Sequence, residues 1–112
     1  MEVNPNYIFE LQAEMLSALS NAKRLMILKA LGKEEKTVGE IASQIGIEVQ
    51  NASQHLSIMK SHNIVISRRE GRAVYYKLAT PIFAECCELV RQAIMEDLEN
   101  RRAMLQRYQK AK

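Results

Sequence analysis

Apolar residues recur at helical spacing along most of the chain, and between Ile64 and Leu78 the period changes to that of extended strands. Ile8, Leu11, Met15 and Leu19 mark a first helix that Asn6 can cap, with Glu10 and Gln12 turned outward. A second begins after Ser20 or Asn21, carries Leu25, Leu28 and Leu31 on one face and stops at Gly32, with Lys29 and Lys33 near its C-terminal end. The charged link Lys33 to Lys36 leads to Thr37, and Glu40 follows three residues later, the spacing of a capping box. The third helix that this box opens turns Val38, Ile41, Ala42 and Ile45 inward. Gly46 stands where a helix-ending residue with positive φ is wanted, and Ile47 is expected as a buried plug. A fourth helix starts at about Glu48 to Gln50, buries Ala52, Leu56 and Met59, and finishes near His62 with Asn63 as a left-handed cap.

Branched and aromatic residues then flank the Glu70-Gly71-Arg72 turn, which predicts a two-stranded hairpin. Thr80 and Pro81 are an N-cap and a first-turn proline, and no breaker interrupts the helix that follows before about Tyr108. At ~1.5 Å per residue that helix spans roughly 40 Å, longer than a small core requires. Phe83, Cys87, Val90, Ile94 and Leu98 form one stripe on it, and Ile82, Cys86, Leu89 and Ala93 a neighbouring one. An apolar face this wide either covers the domain's own core or pairs with a second copy in a twofold dimer that includes the first helix. The tail from Gln109 to Lys112 is expected to fray.

Two helices across a tight turn, followed by a basic hairpin, make a winged helix-turn-helix. The expected fold is mainly α with a small β-hairpin, in one domain over residues 1–112. Its helix-turn-helix runs over about 37–62, its wing over about 64–78, and its dimerisation helices over about 6–19 and 81–108.

Charge follows the same division. Residues 1–19 hold three acids (Glu2, Glu10, Glu14) and no base, whereas residues 20–79 hold ten basic and five acidic residues. Residues 80–112 hold six and five. The positive excess therefore lies on the segment expected to meet phosphate. A duplex major groove about 12 Å wide admits one helix, and Asn or Gln can pair with two atoms of an adenine edge at once. The fourth helix offers Gln50, Asn51, Ser53, Gln54 and Ser57 opposite its apolar side, with no acid after Glu48. Arg68, Arg69 and Arg72 on the hairpin can enter a minor groove or clamp phosphates, unless Glu70 ties one of them up in an ion pair. Lys23, Arg24 and Lys60 are phosphate neighbours or plain surface.

Taken together, the segments Leu19 to Leu28, Val38 to Ala42, Ser53 to Leu56 and Arg69 to Leu78 resemble the ArsR/SmtB family of small winged-helix repressors. The match covers about residues 15–80 in the right order. The resemblance implies a homodimeric transcriptional repressor that occupies a partly palindromic operator of double-stranded DNA and leaves when an effector binds. Two positions depart from the family pattern. Glu48 stands where the recognition helix often begins with serine, and Ser57 where a lysine or arginine is common.

The effector is less legible. The family's Cys-x-Cys site near the third helix is replaced by Lys36-Thr37-Val38-Gly39, and the last helix has no histidine. His55 and His62 lie two turns apart, ~10 Å, too far to share one ion. His55 reads as a packed, hydrogen-bonded residue and His62 as a helix-end residue. Cys86 and Cys87 are adjacent, which suits a reducing compartment and no disulfide framework. They are either small hydrophobes in the apolar stripe, effector thiols for a thiophilic metal or metalloid, or redox-active thiols. No cofactor is expected.

Other classes fit less. A winged-helix module for protein contacts alone has little use for an amide-rich helix face and wing arginines. An enzyme would need a nucleophile-base pair, a phosphate loop or a metal cluster, and none is apparent. The N-terminus lacks a basic region followed by an apolar run, and no stretch approaches the ~20 apolar residues of a membrane span. A cytoplasmic chain with no membrane partner is expected.

Overall fold

The computed structural model describes residues 4–111; Met1–Val3, with Glu2 of the acidic segment, and Lys112 of the expected frayed tail lie outside the described residues. Five helices and three short strands follow in the order α1 (Pro5–Leu19), α2 (Ala22–Leu31), β1 (Lys36–Thr37), α3 (Val38–Ile45), α4 (Val49–Ser61), β2 (Val65–Glu70), β3 (Ala73–Leu78) and α5 (Ile82–Ala111).

Capping explains most boundaries. The first helix is capped by Asn4, not Asn6: Pro5 occupies the first helical position, where its missing N–H costs nothing, and Asn4 Oδ1 accepts from Asn6 N at 2.9 Å. Asn21 caps α2 by accepting from Lys23 N and Arg24 N. Thr37 and Glu40 form the expected capping box at the start of α3. Gly46 has φ 74° and closes α3, its N–H donating to Ala42 O at 2.9 Å. Asn63 has φ 60° just past the end of α4. The chain thus turns twice through left-handed backbone, at residues suited to it, on either side of α4.

The core gathers where α2, α3 and α4 cross. Ile27, Leu28 and Leu31 of α2, Ile41 of α3, Leu56 and Met59 of α4, and Ile64, Val65 and Leu78 of the sheet are buried, with Ala18 and Leu19 closing one end. Two expectations shift here. Leu25 is 42% exposed, because α2 turns Ile27 inward beside Leu28 and Leu31. Ile47 is half-buried, since the turn it follows lies at the rim of the core.

The sheet has one strand more than the expected two-stranded hairpin. Lys36 and Thr37, read as the end of a charged link, pair with Tyr76 and Tyr75 and make a three-stranded antiparallel sheet of order β1-β3-β2. Two polar residues carry no strand signal; β1 exists because β3 offers it an edge. Glu70 pairs with Ala73 across the two-residue turn Gly71-Arg72, and Gly71 takes φ 64°, as a turn with positive φ at its first residue demands.

The last helix runs to Ala111, so the expected fraying of Gln109 to Ala111 is corrected: residues 82–111 contain no breaker, and Lys110 suits the negative C-terminal end. Only its first turns touch the core, through Phe83, Ala84 and Cys87. Leu89, Val90, Ile94 and Leu98 remain between 52% and 65% exposed. Ile8 and Leu11 of α1 are likewise exposed, as is Phe9.

Candidate nucleic-acid interface

The sharp turn at Gly46 presents α4 across α3 and leaves one of its faces bare. Gln50, Asn51, Ser53, Gln54 and Ser57 all lie on that exposed face, and among the described residues none of these side chains is held by an internal hydrogen bond. They are free to exchange water for base edges. Val49 and Ile58 border the same face, 52% and 38% exposed, and add apolar surface suited to a thymine methyl. The amphipathic pattern hid these two, because an apolar residue on a helix is read first as core.

Glu48 is the N-cap of α4, and its side chain makes no capping hydrogen bond. The first N–H groups of the helix are therefore left to water or to an anion.

The three wing arginines separate into two kinds. Arg69 and Arg72 are exposed, and no ion pair engages them among the described residues. Arg68 is tied to several partners, although 49% of its side chain stays exposed. Its Nε donates to both oxygens of Glu35 at 2.9 and 3.0 Å, Nη2 donates to Glu35 at 2.6 Å and Nη1 to Glu70 at 2.6 Å. Its guanidinium also lies 4.6 Å from the centre of the Tyr75 ring. These carboxylates raise the Arg68 pKa, and Arg68 in turn holds the Glu35 carboxyl below its ordinary value. The partner Glu70 was foreseeable from its neighbouring position. Glu35, 33 residues earlier, carried no signal in the sequence.

Of the other three candidate cations, Lys60 and Arg24 have definite partners. Lys60 Nζ donates to Ser67 Oγ at 2.7 Å and joins the end of α4 to β2. Arg24 is half-buried and donates to Ala18 O at 2.8 Å, bridging α1 and α2. Lys23 is exposed. His55 is packed as expected, but its buried Nδ1 lacks a hydrogen-bond partner among the described residues. Burial, with Arg24 and Lys23 nearby, lowers its pKa. His62 is the C-cap of α4, with Nδ1 3.0 Å from Ile58 O.

Cys86 is exposed and Cys87 half-buried against the core. Burial pushes the Cys87 thiol up, and Cys86 beside it adds to the shift. Among the described residues no three His, Cys, Asp or Glu side chains gather to hold a metal ion. Cys87 lines an open apolar groove of about 750 Å³ between the end of α1, α2 and α5, together with Leu16, Leu25, Leu28, Ala84 and Ile94. No helix of the described residues is long and apolar enough to cross a membrane.

Comparison with known proteins agrees with this geometry. A family model described as a helix-turn-helix domain matches residues 19–68. The uncharacterized HTH-type transcriptional regulator Rv0081 of Mycobacterium tuberculosis is 34% identical over 107 residues, covering 95% of this chain and 92% of its own. A transcriptional repressor SmtB homolog from Synechocystis is 39% identical over 67 residues, 60% of this chain and 51% of the relative. The solution structure of the homodimeric winged helix-turn-helix DNA-binding domain of Mb0332 from Mycobacterium bovis, a "possible ArsR-family transcriptional regulator", superposes with a TM-score of 0.75. It is 33% identical and covers 89% of this chain and 93% of its own. Sequence segments, helix-turn-helix, wing and relatives agree: the chain belongs to the ArsR/SmtB family of winged helix-turn-helix transcriptional regulators.

Proposed function

We propose that the chain is a homodimeric, sequence-specific DNA-binding repressor that leaves a partly palindromic operator when an effector binds. The observation that carries this reading is the exposed, uncharged amide and hydroxyl face of α4 beside a wing with two unengaged arginines. Gln50, Asn51, Ser53, Gln54 and Ser57 would read base edges in the major groove, while Arg69 and Arg72 would meet phosphates or the flanking minor groove. The bare apolar stripe of α5 and the exposed residues of α1 support pairing of two copies, as does the homodimeric Mb0332 domain. Two α4 helices related by a twofold would then reach half-sites about one helical turn apart. The Synechocystis relative is named a repressor and the Vibrio cholerae relative HlyU an activator, so repression rests here on the resemblance of the sequence segments. The protein would work in the cytoplasm, with the DNA it binds.

Cys86 and Cys87 receive no sensing role in this proposal. Cys87 is half-buried in an apolar groove and burial pushes its thiol up, which supports a packing role for that residue, whereas Cys86 is exposed.

Fluorescence anisotropy with a duplex from the chain's own promoter tests the reading. Binding should exceed that of random duplex and weaken steeply as salt rises. Equal affinity for the two duplexes at physiological salt would overturn it.

A further inference from the structure

Arg68 was expected to touch DNA, yet its fork is spent inside the protein, and the way it is spent crosses the whole sheet. Arg68 lies on β2 opposite Tyr75 of β3, and Tyr75 pairs in turn with Thr37 of β1. The guanidinium passes over the Tyr75 ring and ends on Glu35, two residues before Thr37. One side chain therefore stitches β2 to the far edge of the sheet. Thr37 is also the N-cap of α3, so the clamp fastens the wing to the residue at which the helix-turn-helix begins. At the near edge the Lys60–Ser67 hydrogen bond fastens the same strand to the end of α4.

A two-stranded hairpin standing off a small domain is free to change its pitch, because few buried residues restrain it. Beyond Val65 no residue of β2 is buried. On β3, Tyr76 still packs against the core and Ala73 to Tyr75 are half-buried, so the exposed outer half of β2 depends on polar ties for its orientation. A bidentate guanidinium–carboxylate pair supplies direction as well as attraction, which a lysine cannot do.

We propose that the Glu35–Arg68–Tyr75 clamp fixes the pitch of the wing so that Arg69 and Arg72 reach DNA in register with α4. Arg68 and Glu35 are then positioning residues, and neither touches the nucleic acid. The inference rests on the DNA-binding reading above and adds to it the part that sets the spacing of its two contacts.

Charge makes the test discriminating. Glu35→Gln removes an anion and leaves Arg68 free for a phosphate, so a simple electrostatic account expects tighter binding and a steeper salt dependence. The positioning account expects the reverse: Glu35→Gln and Arg68→Lys each weaken promoter binding about five- to tenfold, the range of coupled contacts, with a salt slope no steeper than the parent's. The double variant should be no weaker than either single one. In the free protein, nitrogen-15 relaxation should show residues 69–73 more mobile in both variants, while thermal unfolding stays near that of the parent. If Glu35→Gln instead tightens binding and steepens the slope by about one, Arg68 is a masked phosphate contact and the proposal falls. Unchanged wing relaxation in the free variants would also overturn it. Failure of the parent to bind any duplex would be a different result, since it removes the DNA-binding reading itself.

Discussion

Thr37 and Glu40 cap each other: Thr37 Oγ1 accepts from Glu40 N at 3.2 Å, and Glu40 Oε1 accepts from Thr37 N at 3.0 Å. Because Thr37 also pairs with Tyr75, this one exchange fixes where β1 ends and α3 begins. Thr37→Ala should cost about 1 kcal/mol, the usual value of a lost N-cap, measured by urea unfolding. The hydrogen bonds from Thr37, backbone first and hydroxyl second, hold the Glu40 carboxyl below its ordinary value of 4.5. A depressed carboxylate stabilises the fold above its unfolded pKa, and the contribution is lost as pH falls through the folded one. The Glu40→Gln variant should therefore show less loss of stability than the parent when acidified below pH about 4.5. A parallel acid profile in parent and variant would show that the box does not carry it.

Glu48 offers the opposite case, an N-cap that makes no cap. Its carboxylate also stands at the start of the helix expected to approach phosphates. Glu48→Ser should raise stability by roughly 0.5–1 kcal/mol through a side-chain cap. Promoter affinity should rise as well, since an anion is removed from the interface. Denaturant midpoint and anisotropy titration read the two effects separately. A variant no more stable than the parent would mean that water already satisfies those N–H groups.

His55 makes stability depend on pH near neutrality. Burial is the first cause that lowers its pKa, followed by Arg24 and then Lys23, so the folded protein holds the ring neutral more firmly than the unfolded chain does. The folded pKa lies below the unfolded 6.5. Stability is then fully present above 6.5 and declines as pH falls from there towards the folded pKa, where the unfolded state alone takes up a proton. Urea midpoints of the parent should drop between pH 7.5 and 5.5, and His55→Phe should flatten that drop. An equal fall in both would assign the effect to other groups.

Local chemistry was legible in the sequence wherever one residue type had one use. Gly46, Asn63, Gly71 and the Thr37–Glu40 box have roles set by neighbours a few positions away, and each stands as its spacing suggested. The bare face of α4 was readable for the same reason, since helical periodicity alone separates Gln50 and Gln54 from Leu56. Tertiary partnership was not readable. Arg68 looked like its neighbours Arg69 and Arg72, and only the fold brings Glu35 to it. β1 was missed because Lys36 and Thr37 become a strand only when Tyr75 and Tyr76 lie alongside. Asn6 was expected as the cap, but Pro5 suits the first helical position and so places the cap one residue before itself, at Asn4.

The apolar face of α5 yields the most consequential prediction. Leaving a large aliphatic side chain in water forgoes roughly 1.5–3 kcal/mol relative to burying it, and Leu89, Val90, Ile94 and Leu98 are all more than half exposed. A second copy that covers them would recover that free energy and place two recognition helices on one duplex. Ile94→Asp with Leu98→Asp should then leave the protomer folded, because neither side chain belongs to its core, yet make it monomeric in sedimentation. Affinity for a two-half-site duplex should fall by about 10²-fold or more, since each half-site would be bound without the effective concentration its linked partner provides. Binding to an isolated half-site should stay as it was. A double variant that sediments as a dimer would move the interface elsewhere on the molecule, and a monomer that keeps full affinity for the paired site would show that one α4 and one wing suffice for recognition.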